Sequence, residues 1–317
     1  MKKAILIPII VGGALLVTGS LIFAIALANN SKSSALVTNE YQIKEDFHNI
    51  DVDIDTSNLE FKTSEDGQGK IVFEERKKEH HEASVSADTL KIKYVDERKW
   101  SDRIFNINLK SMKVTVYLPN QEYGDLTIKN DTGEIYIPAD FTFNKTKITV
   151  HTGDISYQAS VKETIEIKAS TGDIHFSDLK AQSISTDVST GNVTYNNVQV
   201  IENITAKSST GDIKLEKVTA NNLTIKASTG KVTLIDSVMV GHTEINTSTG
   251  RVNFQSFDSA SIKVKTSTGD VKGTLLTNKI FYAHSDTGRV NVPKSTEGGL
   301  CEIDTDTGDI SIQIVNN

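Results

Sequence analysis

Apolar residues recur at every second position along most of the chain, in short runs that restart every 19 or 20 residues. One such run holds Leu223, Ile225 and Ala227, seven, five and three places before Gly230. Equivalent runs hold Ile262, Val264 and Thr266, and Ile184, Thr186 and Val188. The alternation resumes two and four places beyond each glycine, at Ile155 and Tyr157, Ile174 and Phe176, Ile213 and Leu215, and Val252 and Phe254. A period of two puts these side chains on one face of a strand, with Thr224, Lys226, Thr233 and Lys263 on the solvent face. No window places apolar residues at helical spacing, and β-branched residues crowd the runs, so the elements expected are strands.

The glycines between the runs keep the beat. Gly133, Gly153, Gly172, Gly191, Gly211, Gly230, Gly250, Gly269, Gly288 and Gly308 each follow a threonine, at intervals of 19 or 20 residues. A repeat this short cannot bury its apolar side alone and must stack on its neighbours. Glycine accepts a positive φ and suits a sharp corner between two strands. The preceding Ser and Thr can bond local backbone groups that the corner exposes. A further apolar residue seven places after the glycine (Leu179, Val198, Val218, Phe257, Leu276) predicts a second wall. The fold expected is all-β: a single-stranded parallel β-solenoid of about ten coils, capped by irregular coils. Ten coils at a rise of about 4.8 Å make a rod on the order of 45–50 Å long.

The chain divides into 1–28, 29–42, 43–120 and 121–317. Lys2 and Lys3 precede an uncharged, mostly apolar run from Ala4 to Ala28. As a helix this run would be about 37 Å long, enough to cross a bilayer core of about 30 Å with some tilt. The basic end then stays in the cytoplasm and the body lies outside the membrane. The rival reading is a signal peptide cleaved after Ala26-Leu27-Ala28, which would release a secreted body. The run is longer than a signal core, so the expectation is a retained anchor. Residues 29–42 are small and polar and read as a tether. Residues 43–120 carry strand patterns without the Thr-Gly beat, as expected of a cap. The strand around Ile310, Ile312 and Ile314 ends the chain and offers an edge for self-association or a partner.

The net charge of −7 over 317 residues is not that of a nucleic-acid-binding protein, and it argues against a purely electrostatic attachment to anionic lipid or wall polymer. Cys301 is the only cysteine and stands at an inward position, so it reads as a small core residue. The residue after each glycine is usually acidic, but Lys231, Arg251 and Arg289 interrupt the row, which favours a structural corner over a calcium ladder. The corner threonines are not the flat exposed strand face an ice-binding solenoid needs. His80 and His81 are adjacent on a strand and point to opposite faces, a poor metal pair best read as part of a solvated charged stretch. Trp100, the only tryptophan, sits in a charged loop; packing onto the cap is the first expectation and a binding anchor the second. No cluster of acids and bases stands apart from the repeat lattice, so no catalytic residue, metal or cofactor is expected.

The strand ending in Leu118-Pro119, followed by Leu126-x-Ile128-x-x-x-Thr132-Gly133-Glu134-Ile135 and Ile167-x-Ala169-Ser170-Thr171-Gly172-Asp173-Ile174, resembles the bacterial LiaG-like family of provisionally named adhesins, a β-strand-repeat domain of unknown function. The resemblance covers Phe47 to the C-terminus. It implies a non-catalytic adhesin-like or scaffold protein of the cell envelope that binds an envelope polymer or a membrane-protein partner. An accessory role in envelope-stress signalling is the first alternative. A carbohydrate-active β-helix enzyme is the second.

Overall fold

The computed structural model describes residues 35–100 and 110–315, which form thirty strands, β1 to β30 in chain order. The apolar run Ala4–Ala28 lies outside the described residues. No helix among the described residues is long and apolar enough to cross a membrane.

A regular rung is a flattened loop with two walls. In the rung of Gly172, the long strand β13 (Thr164–Thr171) leads through the glycine corner to the short strand β14 (Ile174–Ser177). The chain turns again at Asp178, and β15 (Lys180–Ala181) returns it to the first wall. There β16 (Ser183–Thr190) begins the next rung. β13 and β16 pair in parallel with Ile165 opposite Ile184, Ile167 opposite Thr186 and Ala169 opposite Val188. The register read from the sequence is therefore the register of the ladder, and its inward residues join one apolar core running from Ile50 to Ile312.

Within that core Tyr157, Phe176 and Tyr195 lie on successive rungs, Tyr157 edge-on to Phe176 at 6.1 Å and Phe176 stacked on Tyr195 at 4.9 Å between centroids. Burial raises both phenols above their ordinary pKa, so each stays protonated and needs a partner. Thr146 supplies one at 2.7 Å and Thr186 the other at 2.6 Å. That pairing explains why a hydroxyl stands at an inward position of the two tyrosine rungs.

The glycine corners stack so closely that side chains are excluded twice over. Gly153 has φ +146°, and a Cβ on it would lie 2.1 Å from the carbonyl oxygen of Gly133. A second corner, six places after the glycine, is also periodic: Asp178, Asn197, Lys217, Asp236 and Ser256 all have φ between 46° and 56°. Asp and Asn tolerate that left-handed conformation best among residues with side chains. The rung of Gly269 departs from this pattern. It turns through Gly273, so Leu275 rather than the expected Leu276 pairs with Phe257 and is buried.

Two rungs without Thr-Gly begin the column. β2 (Asn49–Ile54) and β3 (Ser57–Thr63) place Ile50 opposite Leu126, Val52 opposite Ile128 and Leu59 opposite Ile135. Asp55-Thr56-Ser57-Asn58 fills the corner, with Ser57 where later rungs have glycine. Outside this rung lie β6 (Thr89–Asp96) on β2 and β7 (Met112–Leu118) on β3, both parallel. Antiparallel strands close the end: β4 (Lys70–Glu75) on β7, β1 (Val37–Gln42) on β4, and β5 (Glu79–Ser86) on β6. Residues 37–42, expected as tether, are thus an exposed edge strand held by backbone pairing with β4.

At the other end, chain order and spatial order differ. The long strand β25 (Val252–Thr268) pairs with β29 (Gly299–Thr307), and β29 pairs with β27 (Lys279–Thr287). On the second wall β26 (Val271–Leu275) pairs with β30 (Ile310–Ile314), which meets β28 (Val290–Asn291). The last coil in sequence is therefore the penultimate rung. The strand around Ile310 is flanked on both sides over Ile310 and Ser311, and the outermost edge belongs to β27 and β28.

Candidate functional site

Three places on this column concentrate polar chemistry: the ladder beside the glycines, a sealed cluster under the N-terminal cap, and an open groove on the outer face of the long-strand wall.

The ladder beside the glycines is explained by the backbone. The N–H of Asp173 donates to Asp154 Oδ1 at 2.7 Å, that of Asn192 to Asp173 Oδ1 at 2.7 Å, and that of Asp212 to Asn192 Oδ1 at 2.8 Å. Lys231 N–H donates to Asp212 Oδ1 at 2.7 Å. Each short side chain satisfies a donor that the next rung's corner would otherwise leave free. The series runs Asp270, Asp309, Arg289 at the far end, repeating the spatial order of the rungs. Asp270 is held below its ordinary pKa chiefly by the Lys272 ammonium, and then by the Asp309 N–H. These oxygens face backbone donors, and among the described residues no group of three or more His, Cys, Asp or Glu is placed to hold a metal.

The cap cluster corrects two expectations. His81 is not in a solvated stretch: it lies on β5 and is buried, while His80 on the opposite face is partly exposed. A set of acids and bases also stands apart from the repeats. His81 Nε2 is 3.1 Å from Ser57 Oγ, and His81 Nδ1 is 3.0 Å from Glu75 Oε2, which also accepts the His81 backbone N–H at 2.7 Å. Asn39 donates to Glu75 Oε1 at 2.6 Å. Beside them, Glu79 Oε1 gathers the Tyr94 hydroxyl at 3.2 Å and Arg98 at 3.1 Å, and Arg98 forks onto both oxygens of Asp96.

A hydroxyl, an imidazole and a carboxylate in series form the relay that activates a serine nucleophile. Here Ser57 is 0% exposed and the Phe73 ring stacks on His81 at 5.5 Å. Burial holds the His81 imidazole below its ordinary pKa against the opposing pull of Glu75. The neutral ring then donates from Nδ1 to Glu75 and accepts the Ser57 proton at Nε2. With Ser57 and His81 both buried among the described residues, the relay serves as a seal on the first corner.

The groove is open and differently charged. Four positions before their glycines, Lys207, Lys226, Asn246 and Lys265 lie on successive rungs in register. Two places further on, the hydroxyls of Ser209, Ser228, Ser248 and Ser267 form a parallel rail. Together they border a concave strip of about 420 Å³. Elsewhere on this wall lysines are paired: Lys145 with Glu163 at 3.1 Å, Lys168 with Glu166 at 2.8 Å and Lys263 with Glu302 at 3.4 Å. Lys207, Lys226 and Lys265 have no carboxylate within ion-pair distance among the described residues. The sequence shows each lysine but not the strip, because only stacking brings residues 19 or 20 apart into one row.

Trp100 is 75% exposed, so the packing onto the cap expected for it is not formed among the described residues. Cys301 sits where expected, opposite Ile262, fully buried, with burial pushing its thiol up to about 12.

A family model described as Toastrack DUF4097 matches residues 47–202 and 199–317. Among solved structures, one similar chain is from Bacteroides fragilis and provisionally named an adhesin. It is 16% identical, with a TM-score of 0.44, over 88% of this chain and 97% of that one. Two are from Parabacteroides distasonis. One, provisionally named a lipid-binding protein, is 16% identical, with a TM-score of 0.47, over 74% of this chain and 94% of that one. The other, provisionally named an adhesin, is 12% identical, with a TM-score of 0.47, over 88% and 97%. No curated protein matches the chain.

Proposed function

The chain belongs to the Toastrack DUF4097 family, and from that premise we propose that it is a non-catalytic, adhesin-like binding or scaffold protein of the bacterial cell envelope. One observation carries the reading. The sole hydroxyl–imidazole–carboxylate set among the described residues is sealed inside the cap, while an open strip of unpaired ammonium groups and hydroxyls runs along a rigid wall. A stacked column keeps such a strip at a fixed spacing without ordering anything when a ligand arrives, which lowers the cost of binding an extended partner. The finer placement, a LiaG-like protein held outside the membrane by the apolar run Ala4–Ala28, belongs to the same proposal. It rests on the motifs and the paired lysines at the N-terminus.

The test is to incubate the full-length protein with isolated envelope polymers and with membranes. Retention of a polymer without any release of fragments is expected. Release of soluble glycan would overturn the non-catalytic reading. Crosslinking to one membrane protein with no polymer retained would favour the signalling accessory instead. Cell fractionation checks the anchor: the protein is expected in the membrane pellet, and recovery of a shortened chain from the medium would remove the anchor from the proposal.

A further inference from the structure

Resting on that binding reading, we infer that the groove beside Lys207, Lys226 and Lys265 takes a linear polysaccharide bearing carboxylates. The rungs from Gly211 to Gly269 present their ammonium groups over three steps of about 4.8 Å, about 14 Å in all, enough for a few sugar units in an extended chain. Two stacked ammonium groups at that spacing repel by about 1 kcal/mol in solvent, and nothing in the corner geometry requires lysine there. Asn246 occupies the same row and Asp187 the rung before Lys207, so the fold accepts neutral and acidic residues at this position. Three lysines without an ion pair on four successive rungs, between Asp187 beside Lys207 and Asp304 beside Lys265, make a local cationic patch in a chain of net charge −7 and point to an anionic ligand.

The remaining lining narrows the class. The serine rail supplies hydroxyls that can donate to and accept from sugar hydroxyls. No aromatic side chain lines the strip, so it lacks the stacking platforms that single-stranded nucleic acid requires. It also lacks arginine, whose planar fork is the usual device for phosphate.

The experiment uses the full-length protein against immobilised polygalacturonate, with fully methyl-esterified polygalacturonate as the uncharged polymer of the same backbone. A polyglycerol phosphate and a single-stranded oligonucleotide complete the panel. We expect binding to polygalacturonate that weakens with salt, and little to the ester. The triple variant K207Q/K226Q/K265Q should lose about tenfold or more in affinity. The control K147Q/K168Q/K263Q, which removes the same charge from ion-paired lysines of the same wall, should lose less than about twofold. Equal losses in the two triples would overturn the groove as the site. Equal binding of acid and ester, or tighter binding of the phosphate polymer or oligonucleotide, would overturn the ligand class. Failure with polygalacturonate while another envelope polymer is retained would sink this inference alone. Failure to retain any envelope component would sink the binding reading beneath it.

Discussion

The glycine column can be taken apart by three alanine substitutions that separate conformation from contact. Gly67 has φ +72° with no atom within 4 Å of its virtual Cβ, so Gly67→Ala meets only backbone strain, about 1 kcal/mol. Gly250 has no φ in the left-handed range, yet its Cβ would lie 1.9 Å from Gly230 O. Gly250→Ala must therefore push two rungs apart. Overpacking of that kind costs about 1–3 kcal/mol, and the corner bond from Gly230 N–H to Thr249 O, now 3.1 Å, would lengthen and lose about another 1 kcal/mol. Gly191 combines φ +147° with a Cβ 2.0 Å from Gly172 O, so Gly191→Ala adds strain to collision and should cost about 5 kcal/mol. The order expected is Gly67 least, Gly250 intermediate and Gly191 greatest. Guanidinium unfolding gives the global values. Amide hydrogen exchange at Gly230 and Val232, which donate across the strained interface to Thr249 O and Arg251 O, shows whether the damage is local, as neighbour-only contacts in a stacked repeat require. If Gly250→Ala were as mild as Gly67→Ala, with exchange protection at those amides unchanged, the close-stacking account of the corner would be wrong.

Other outcomes follow from the same contacts. Ser57→Ala should cost about 1–3 kcal/mol in thermal or denaturant unfolding, because it leaves His81 Nε2 buried without a partner. His81 is held below 6.5, so the unfolded chain takes up a proton that the native state resists. Its contribution is full above about pH 6.5 and is lost as the pH falls below it; NMR titration should find its ring still neutral when free histidine is half protonated, and titration near 6.5 would refute this. Asp173→Ala should cost about 1 kcal/mol by removing the acceptor for Asn192 N–H, whereas Asp173→Asn should be nearly neutral, since Asn192 does the same work for Asp212. Cys301, with a thiol near 12 and no exposure, should resist alkylation at pH 8 until denaturant is added; prompt reaction in the native state would contradict its placement.

Much of the column was legible because each rung writes its own register: Leu223, Ile225 and Ala227 before the glycine are inward, as alternation requires. What stayed hidden falls into two kinds. Some signals were present but faint. Asp55-Thr56-Ser57-Asn58 is a corner with serine in the glycine place, and Asn58 Oδ1 accepts the Glu134 N–H at 3.0 Å as later Asp residues do for their neighbours. The left-handed corner was also written, in Asp178, Asn197 and Asp236 at one fixed offset. Other features have no local signal. The pairing of Ser57 with His81 and Glu75 joins strands that nothing in their spacing connects. The exchange of the last two rungs leaves no mark in the spacing, which keeps the same beat through Gly288 and Gly308. The groove exists only once rungs are stacked, so net charge gave a misleading picture of it.

The interleaved end also bears on how the molecule is made. A ribosome delivers Lys279–Asn291 well before Gly299–Ile314, yet the earlier stretch sits outside the later one. Rung-by-rung winding can follow synthesis only as far as Leu275. Beyond that, the first-emerging coil must wait undocked, or dock on β25 and then let go, until Gly299–Thr307 can take the place between them. Closure of this end thus cannot proceed in chain order, and a chain caught before Gly299–Ile314 has docked would display the bare edge of β25 and β26 to whatever lies nearby.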